Sequence, residues 1–217
     1  MTRPAVLTDT GRHRAAIGMT ALVMLGGCSS AQPPRYHTLM PPPASTARLF
    51  LPAGSLAWEI LPVTIPAGVD QPQWVVRTVD GSLAVLEQER WIAPLGEEIR
   101  AAVADRVMQE MGAPSVSAEP RNRWRIRIDV YRFDSVPGRE ARFGANWTLG
   151  SEAEAGAALR CSGEFVRAVT ASGYVAVAKG HQEAVTALAS TIGNELKALS
   201  AGQRPTCSEL DRSVEAK

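Results

Sequence analysis

Hydrophobic and polar positions alternate most clearly over residues 124–131, where Trp124, Ile126, Ile128 and Val130 interleave with Arg125, Arg127, Asp129 and Tyr131. A period of two predicts a strand with one buried face and one wet face. Phe143, Ala145, Trp147 and Leu149 repeat the pattern, and residues 159–169 give a third strand. The gaps between them, Pro137-Gly138 and residues 150–156, are hairpin-sized. Upstream, residues 36–40, 56–65, 73–79 and 82–86 read as further strands. Pro62 and Pro66 restrict the second of these to an edge or a bulge. Asp80-Gly81 is a hairpin turn between the last two.

Two segments carry the helical period instead. Ile92, Leu95, Ile99, Val103, Val107 and Met111 recur at three- and four-residue spacing. Pro94 suits the first turn, Glu97 and Glu98 suit its positive end, and Gly112 and Pro114 stop the helix. Val185, Leu188, Ile192, Leu196 and Leu199 form the second stripe, on a helix from about Lys179 to Leu199 that Gly202 and Pro205 end. Strands, helix, three strands, helix predicts an α+β domain: a mostly antiparallel sheet with two amphipathic helices packed on one face. It spans residues 36–217.

The first 35 residues have a different organisation. Arg3, Arg12 and Arg14 precede an apolar run from Ala15 to Leu25, which is followed by Gly26-Gly27-Cys28. The run is shorter than the roughly 20 apolar residues a spanning helix needs. It has the length of a secretory h-region, and small residues before a cysteine fit lipoprotein processing. Residues 1–27 are therefore expected to be a lipoprotein signal peptide. Cys28 is expected to carry covalent lipid, and residues 28–35 to form a short proline-containing tether. Ser29, rather than an aspartate, favours sorting to the outer membrane, with the domain on the periplasmic side.

Composition excludes more than it selects. The chain has 217 residues, 45% hydrophobic and 21% charged, with a net charge of +1. That is enough chain for a real core and too little positive charge to point to nucleic acid. Removal of the leader takes away three arginines and one aspartate, which leaves a net charge near −1. No metal-ligand spacing, nucleophile motif or phosphate-binding loop occurs, so neither a catalytic set, a metal nor a cofactor is expected, apart from the lipid on Cys28. His181 reads as a solvated helix residue. Of the five tryptophans, most are expected in the core, and one or two exposed ones would mark an interface. Arg125 and Arg127, with Arg121 and Arg123 nearby, read as a solvated sheet face or as a contact surface for an acidic partner or lipid headgroups. Cys161 and Cys207 remain after lipidation. In an oxidising compartment they read as a disulfide pinning the C-terminal tail to a strand, with two free thiols as the alternative.

Four stretches carry a family resemblance. They are Tyr36-His37-Thr38-Leu39; Leu61-Pro62-Val63-Thr64-Ile65-Pro66 with the following Val69-Asp70-Gln71-Pro72-Gln73-Trp74-Val75-Val76-Arg77; Arg90-Trp91 with Ala93-Pro94-Leu95; and the strand 126–133 with the closing helix. Together they resemble the auxiliary lipoproteins of ABC-type transport systems, the PqiC/YmbA-like family, over nearly the whole mature chain. Gln71 and His37 depart from the residues usual there. The resemblance implies an adaptor of an MCE-domain lipid transport system that docks the tunnel-forming MCE protein at the outer membrane and supports envelope integrity. Val69 to Trp74 forms a loop between two strands, where recognition residues often lie, so Asp70, Gln73 and Arg77 are the expected contacts to that partner. Alternatively, Asp70 and Gln73 only shape the turn, and Arg77 pairs with Glu87 or Glu89 across the hairpin. Two other roles stay open: a structural or assembly lipoprotein that binds other envelope proteins, and a direct lipid carrier. A cyclic homo-oligomer is compatible with the ring shape of MCE assemblies.

Overall fold

In the computed structural model, residues 32–42, 56–115, 123–151 and 159–207 are described. The leader, Cys28 and Arg121 lie outside them. Seven strands and two long helices follow in order: β1 (Arg35–His37), β2 (Trp58–Ile60), β3 (Gln73–Arg77), β4 (Leu83–Trp91), α1 (Leu95–Met111), β5 (Trp124–Val136), β6 (Glu140–Ser151), β7 (Leu159–Ala168) and α2 (Tyr174–Ser200), with a 3-10 turn at Ala67–Val69. The class is α+β, as the pattern predicts.

The strands divide between two sheets. One has the order β1-β4-β3, the other β2-β5-β6-β7. The hairpins β3–β4, β5–β6 and β6–β7 are antiparallel, whereas β1 joins β4 and β2 joins β5 in parallel. The prolines explain why β2 is short and lies at an edge. Pro62 has no N–H to give, so after Ile60 the ladder to β5 breaks into isolated bonds: Leu61 N to Ile126 O (2.9 Å), Thr64 N to Ile128 O (3.3 Å) and Val130 N to Thr64 O (2.9 Å).

Two bulges shift the inward-facing positions. In β4, Ala84 and Leu86 pack on the core, then the register jumps opposite Gln73/Trp74 and Glu89 and Trp91 are buried. The alternation breaks inside the strand, which is why the pattern of residues 82–86 did not foretell its length. In β5 the shift falls between Val130 and Arg132, and buried positions move from Ile126, Ile128 and Val130 to Phe133 and Ser135. Tyr131 is turned outward and lies over Gly144, where a Cβ would come within 2.5 Å of its ring.

α1 buries Leu95, Ile99, Val103 and Val107 as expected. Ile92 does not belong to that stripe: it precedes the helix and is 59% exposed. α2 begins at Tyr174, earlier than expected, just after Gly173 at φ +91°. It packs on β6 and β7, and α1 packs on α2. The close approach of helix and sheet needs Gly180, whose missing Cβ would lie 2.9 Å from Ala141 Cβ and 3.0 Å from Val169 Cγ2. All five tryptophans are buried, so none marks an interface.

Candidate functional site

The first site lies at the start of the domain, over residues 35–40. β1 pairs with β4 at Arg35–Glu89 and His37–Trp91, and its side chains converge on one buried acid. Glu89 bonds to Arg35 and accepts His37 Nε2 at 2.6 Å. The next two residues are held by Glu98 in the first turn of α1. Its Oε2 accepts Thr38 Oγ1 and Leu39 N, both at 2.7 Å, and an acid there also suits the helix N-terminus. Gln182 Nε2 on α2 donates to Thr38 O (2.9 Å) and Met40 O (3.3 Å). Leu39 is fully buried between these clamps. Carboxylate-assisted bonds are the stronger class of hydrogen bond, so this short segment is fixed by more than its three-residue strand.

The second site is the loop from Val69 to Trp74. Asp70 is exposed and lines an open groove of about 380 Å³ with Val63, Thr64, Ile65, Pro94 and Glu97. Arg77 lines another, of about 290 Å³, with Val69, Val75, Leu83 and Tyr131. Gln73 lies at the bulge between them and donates to Glu87 Oε2 at 3.5 Å. The three expected contact residues therefore all follow one 3-10 turn, but Asp70 and Arg77 open onto different grooves. Arg77 does not pair with Glu87 or Glu89; it bonds to Asp134 Oδ1 on β5 and to Gly81 O, both at 3.0 Å. The reason is the register, which sets Arg77 opposite Leu83 and next to β5. The turn of that hairpin is closed by Asp80, which accepts bonds from Thr78 and from Ser82 N and Oγ. These bonds hold its carboxyl down at about 2. On the outer face of the four-stranded sheet, Arg123 and Arg125 share Glu59, at 3.4 and 3.0 Å, and Arg127 is exposed.

Residues 37–193 match the family described as the ABC-type transport auxiliary lipoprotein component. The chain belongs to this family. An uncharacterized protein of known structure shares the fold at a TM-score of 0.62 and 13% identity, over 76% of this chain and 99% of that one. A Xanthomonas campestris protein of the DUF330 family shares it at a TM-score of 0.57 and 22% identity, over 77% and 97%. No curated protein matches the sequence.

In this auxiliary lipoprotein the buried polar side chains of α2 were the residues least visible in the sequence. His181 is not solvated: it is fully buried, stacks on Phe133 at 3.9 Å and 8°, and shares a 2.8 Å bond between Nε2 and Ser135 Oγ. Ser135 Oγ also accepts Trp74 Nε1 at 2.8 Å, which ties β3, β5 and α2 together. Nδ1 of His181 has no partner, and burial pushes the imidazole down to about 3. Glu195, also buried, accepts Trp147 Nε1 at 2.7 Å and lies 3.6 Å from Cys161 Sγ. Burial raises its carboxyl, partly opposed by the Trp147 bond. Cys161 is joined to Cys207, with an S–S distance of 2.03 Å. One signal was available: His181 and Glu195 fall on the apolar stripe of α2, where a solvated side chain has no room. Glu89 and Glu98 gave no such signal, because their partners are 50 or more residues away in sequence.

Proposed function

We propose that this lipoprotein is the lipid-anchored, periplasm-facing adaptor of an MCE-type ABC lipid transport system and docks the tunnel-forming MCE protein at the outer membrane. The observation that carries the reading is the clamp on residues 35–40, in a chain of the transport auxiliary family. With lipid on Cys28, the seven residues to Arg35 reach at most about 25 Å. Beyond them Glu89, Glu98 and Gln182 fix the chain to the domain. Such an arrangement keeps the domain within that reach of a membrane, as a docking platform requires and as a freely diffusing carrier does not. The loop bearing Asp70, Gln73 and Arg77 is the docking element, since it projects polar groups beside two open grooves.

Three measurements test this. A Cys28→Ala variant is expected to lose the lipid mass and to leave the membrane fraction. Crosslinked pull-down of the lipidated protein from native membranes is expected to recover an MCE-domain protein. Recovery of only outer-membrane or peptidoglycan-linked proteins would overturn the transport role in favour of an envelope assembly lipoprotein. Asp70→Arg with Gln73→Ala is expected to abolish capture while the fold persists; unchanged capture would remove the loop from the docking surface.

A further inference from the structure

We propose that the Cys161–Cys207 bridge is a thiol–disulfide exchange site for a dithiol reductant, with Glu195 as the group that gives a proton to, or takes one from, the Cys161 sulfur. Three placements support this. The two sulfurs are in unequal settings: Cys207 is exposed near the C-terminus, while Cys161 is buried under α2. An attacking thiolate therefore reaches Cys207, and Cys161 must be the leaving sulfur. A thiolate released at a buried position is costly unless it is neutralised at once. Glu195 Oε1 is 3.6 Å from that sulfur, and the other carboxyl oxygen is held by Trp147 Nε1 at 2.7 Å, so the group is aimed and fixed. Burial favours the protonated acid there, which is the form able to donate.

The step balances as follows. A thiolate of the dithiol bonds to Cys207 Sγ and breaks the Cys161–Cys207 bond. The electron pair leaves on Cys161 Sγ, which takes the Glu195 proton. The second thiol of the reductant, deprotonated, attacks its partner sulfur in the mixed disulfide and expels the Cys207 thiolate, which is protonated by water. The dithiol is oxidised to its disulfide and the bridge is reduced by two electrons. In reverse, the Glu195 carboxylate takes the proton of Cys161 before the bridge closes. Cys207 Sγ lies 3.1 Å from Arg160 O on β7, the edge strand of its sheet. Exchange at this site therefore unfastens the tail from that edge.

Around Glu195, β6 presents Trp147 and β7 presents Cys161. From α1, Glu110 packs over Gly193 and is paired with Arg106 at 2.9 Å.

The test is the rate of bridge reduction by dithiothreitol in the native full chain, followed by thiol alkylation and mass, from pH 5 to pH 8 and corrected for the thiolate fraction. Glu195→Gln keeps an acceptor for Trp147 but cannot transfer a proton. It is expected to slow reduction about tenfold or more at the acid end, with the gap closing as pH rises and Glu195 ionises in the wild type. Equal corrected rates in both proteins would overturn the role of Glu195. Glutathione trapping in the wild type supplies a readout that needs no variant: the mixed disulfide is expected on Cys207. An adduct on Cys161, or reduction only at denaturant concentrations that unfold the chain, would overturn the exchange site.

Discussion

His181 and Glu195 lie on the same buried stripe of one helix, yet burial acts on them in opposite directions. At the His181 end the aromatic rings of Phe133, Trp91 and Trp74 surround an imidazole whose one bonded partner is a serine hydroxyl. Its neutral form suits that setting, so the proton is excluded. At the Glu195 end a carboxyl is taken out of water beside an indole N–H and a sulfur, and its neutral form is the protonated one. The lesson is that desolvation selects the uncharged state, whichever side of the titration that is. Burial therefore pushes the pKa of His181 down and that of Glu195 up. The His181 end is a structural joint between β3, β5 and α2. The Glu195 end adjoins the Cys161–Cys207 bridge.

At neutral pH the largest effect of a single substitution is expected at the Glu195 end. Glu195→Leu leaves the Trp147 N–H buried without an acceptor and is expected to lower stability by about 2 kcal/mol in urea unfolding. Glu195→Gln, which restores the acceptor, is expected to recover most of the loss. Equal losses from both variants would mean that the carboxyl matters for its volume and not for its bond.

Acid sharpens the contrast. The folded-state value of His181 lies below the ordinary one, near 3 against 6.5. Between those values the unfolded chain binds a proton that the folded chain refuses. Stability from this group is thus complete above about pH 6.5 and falls as pH drops toward 3, by up to about 1.4 kcal/mol per pH unit. Glu195 has the opposite sign. Its folded-state value is raised, so its contribution is complete below its ordinary value of 4.5 and is lost as pH rises until the folded carboxyl ionises. In urea midpoints taken from pH 7 to pH 4, the difference between wild type and His181→Gln is expected to show the His181 slope. A difference that stays flat with pH would show that the imidazole gains a proton without cost.

The smallest effect is expected from Gly180→Ala, one residue before His181. The new methyl must displace Ala141 Cβ or Val169 Cγ2, but alanine also favours the helix. A net loss of about 1 kcal/mol is expected by thermal unfolding. A gain would mean that α2 shifts easily over β6, and the joint at His181 would then be looser than its contacts imply.

Much of this helix was legible in advance. Val185, Leu188, Ile192, Leu196 and Leu199 repeat at helical spacing and are buried. The roles of His181 and Glu195 were not, because Ser135 lies 46 residues before the histidine and Trp147 48 before the glutamate. Nothing local to either residue reports such a partner. The docking loop was half legible. Its sequence marked Asp70, Gln73 and Arg77 together, but the bulge opposite Gln73 and the pairing of Arg77 with Asp134 leave Asp70 and Arg77 on different grooves.

Local sequence set the local choices: which segments alternate, which turn at Asp80-Gly81 and Pro137-Gly138, and which carry a helical stripe. Those choices depend on side chains within a few residues, so periodicity records them. Tertiary packing alone set the division of the strands into two sheets, the parallel partners of β1 and β2, and the bonding partners of Glu89, Glu98, His181 and Glu195. Parallel pairing and buried polar bonds join residues far apart in the chain. Their free energy comes from desolvation and partner geometry, which exist only once the chain has folded.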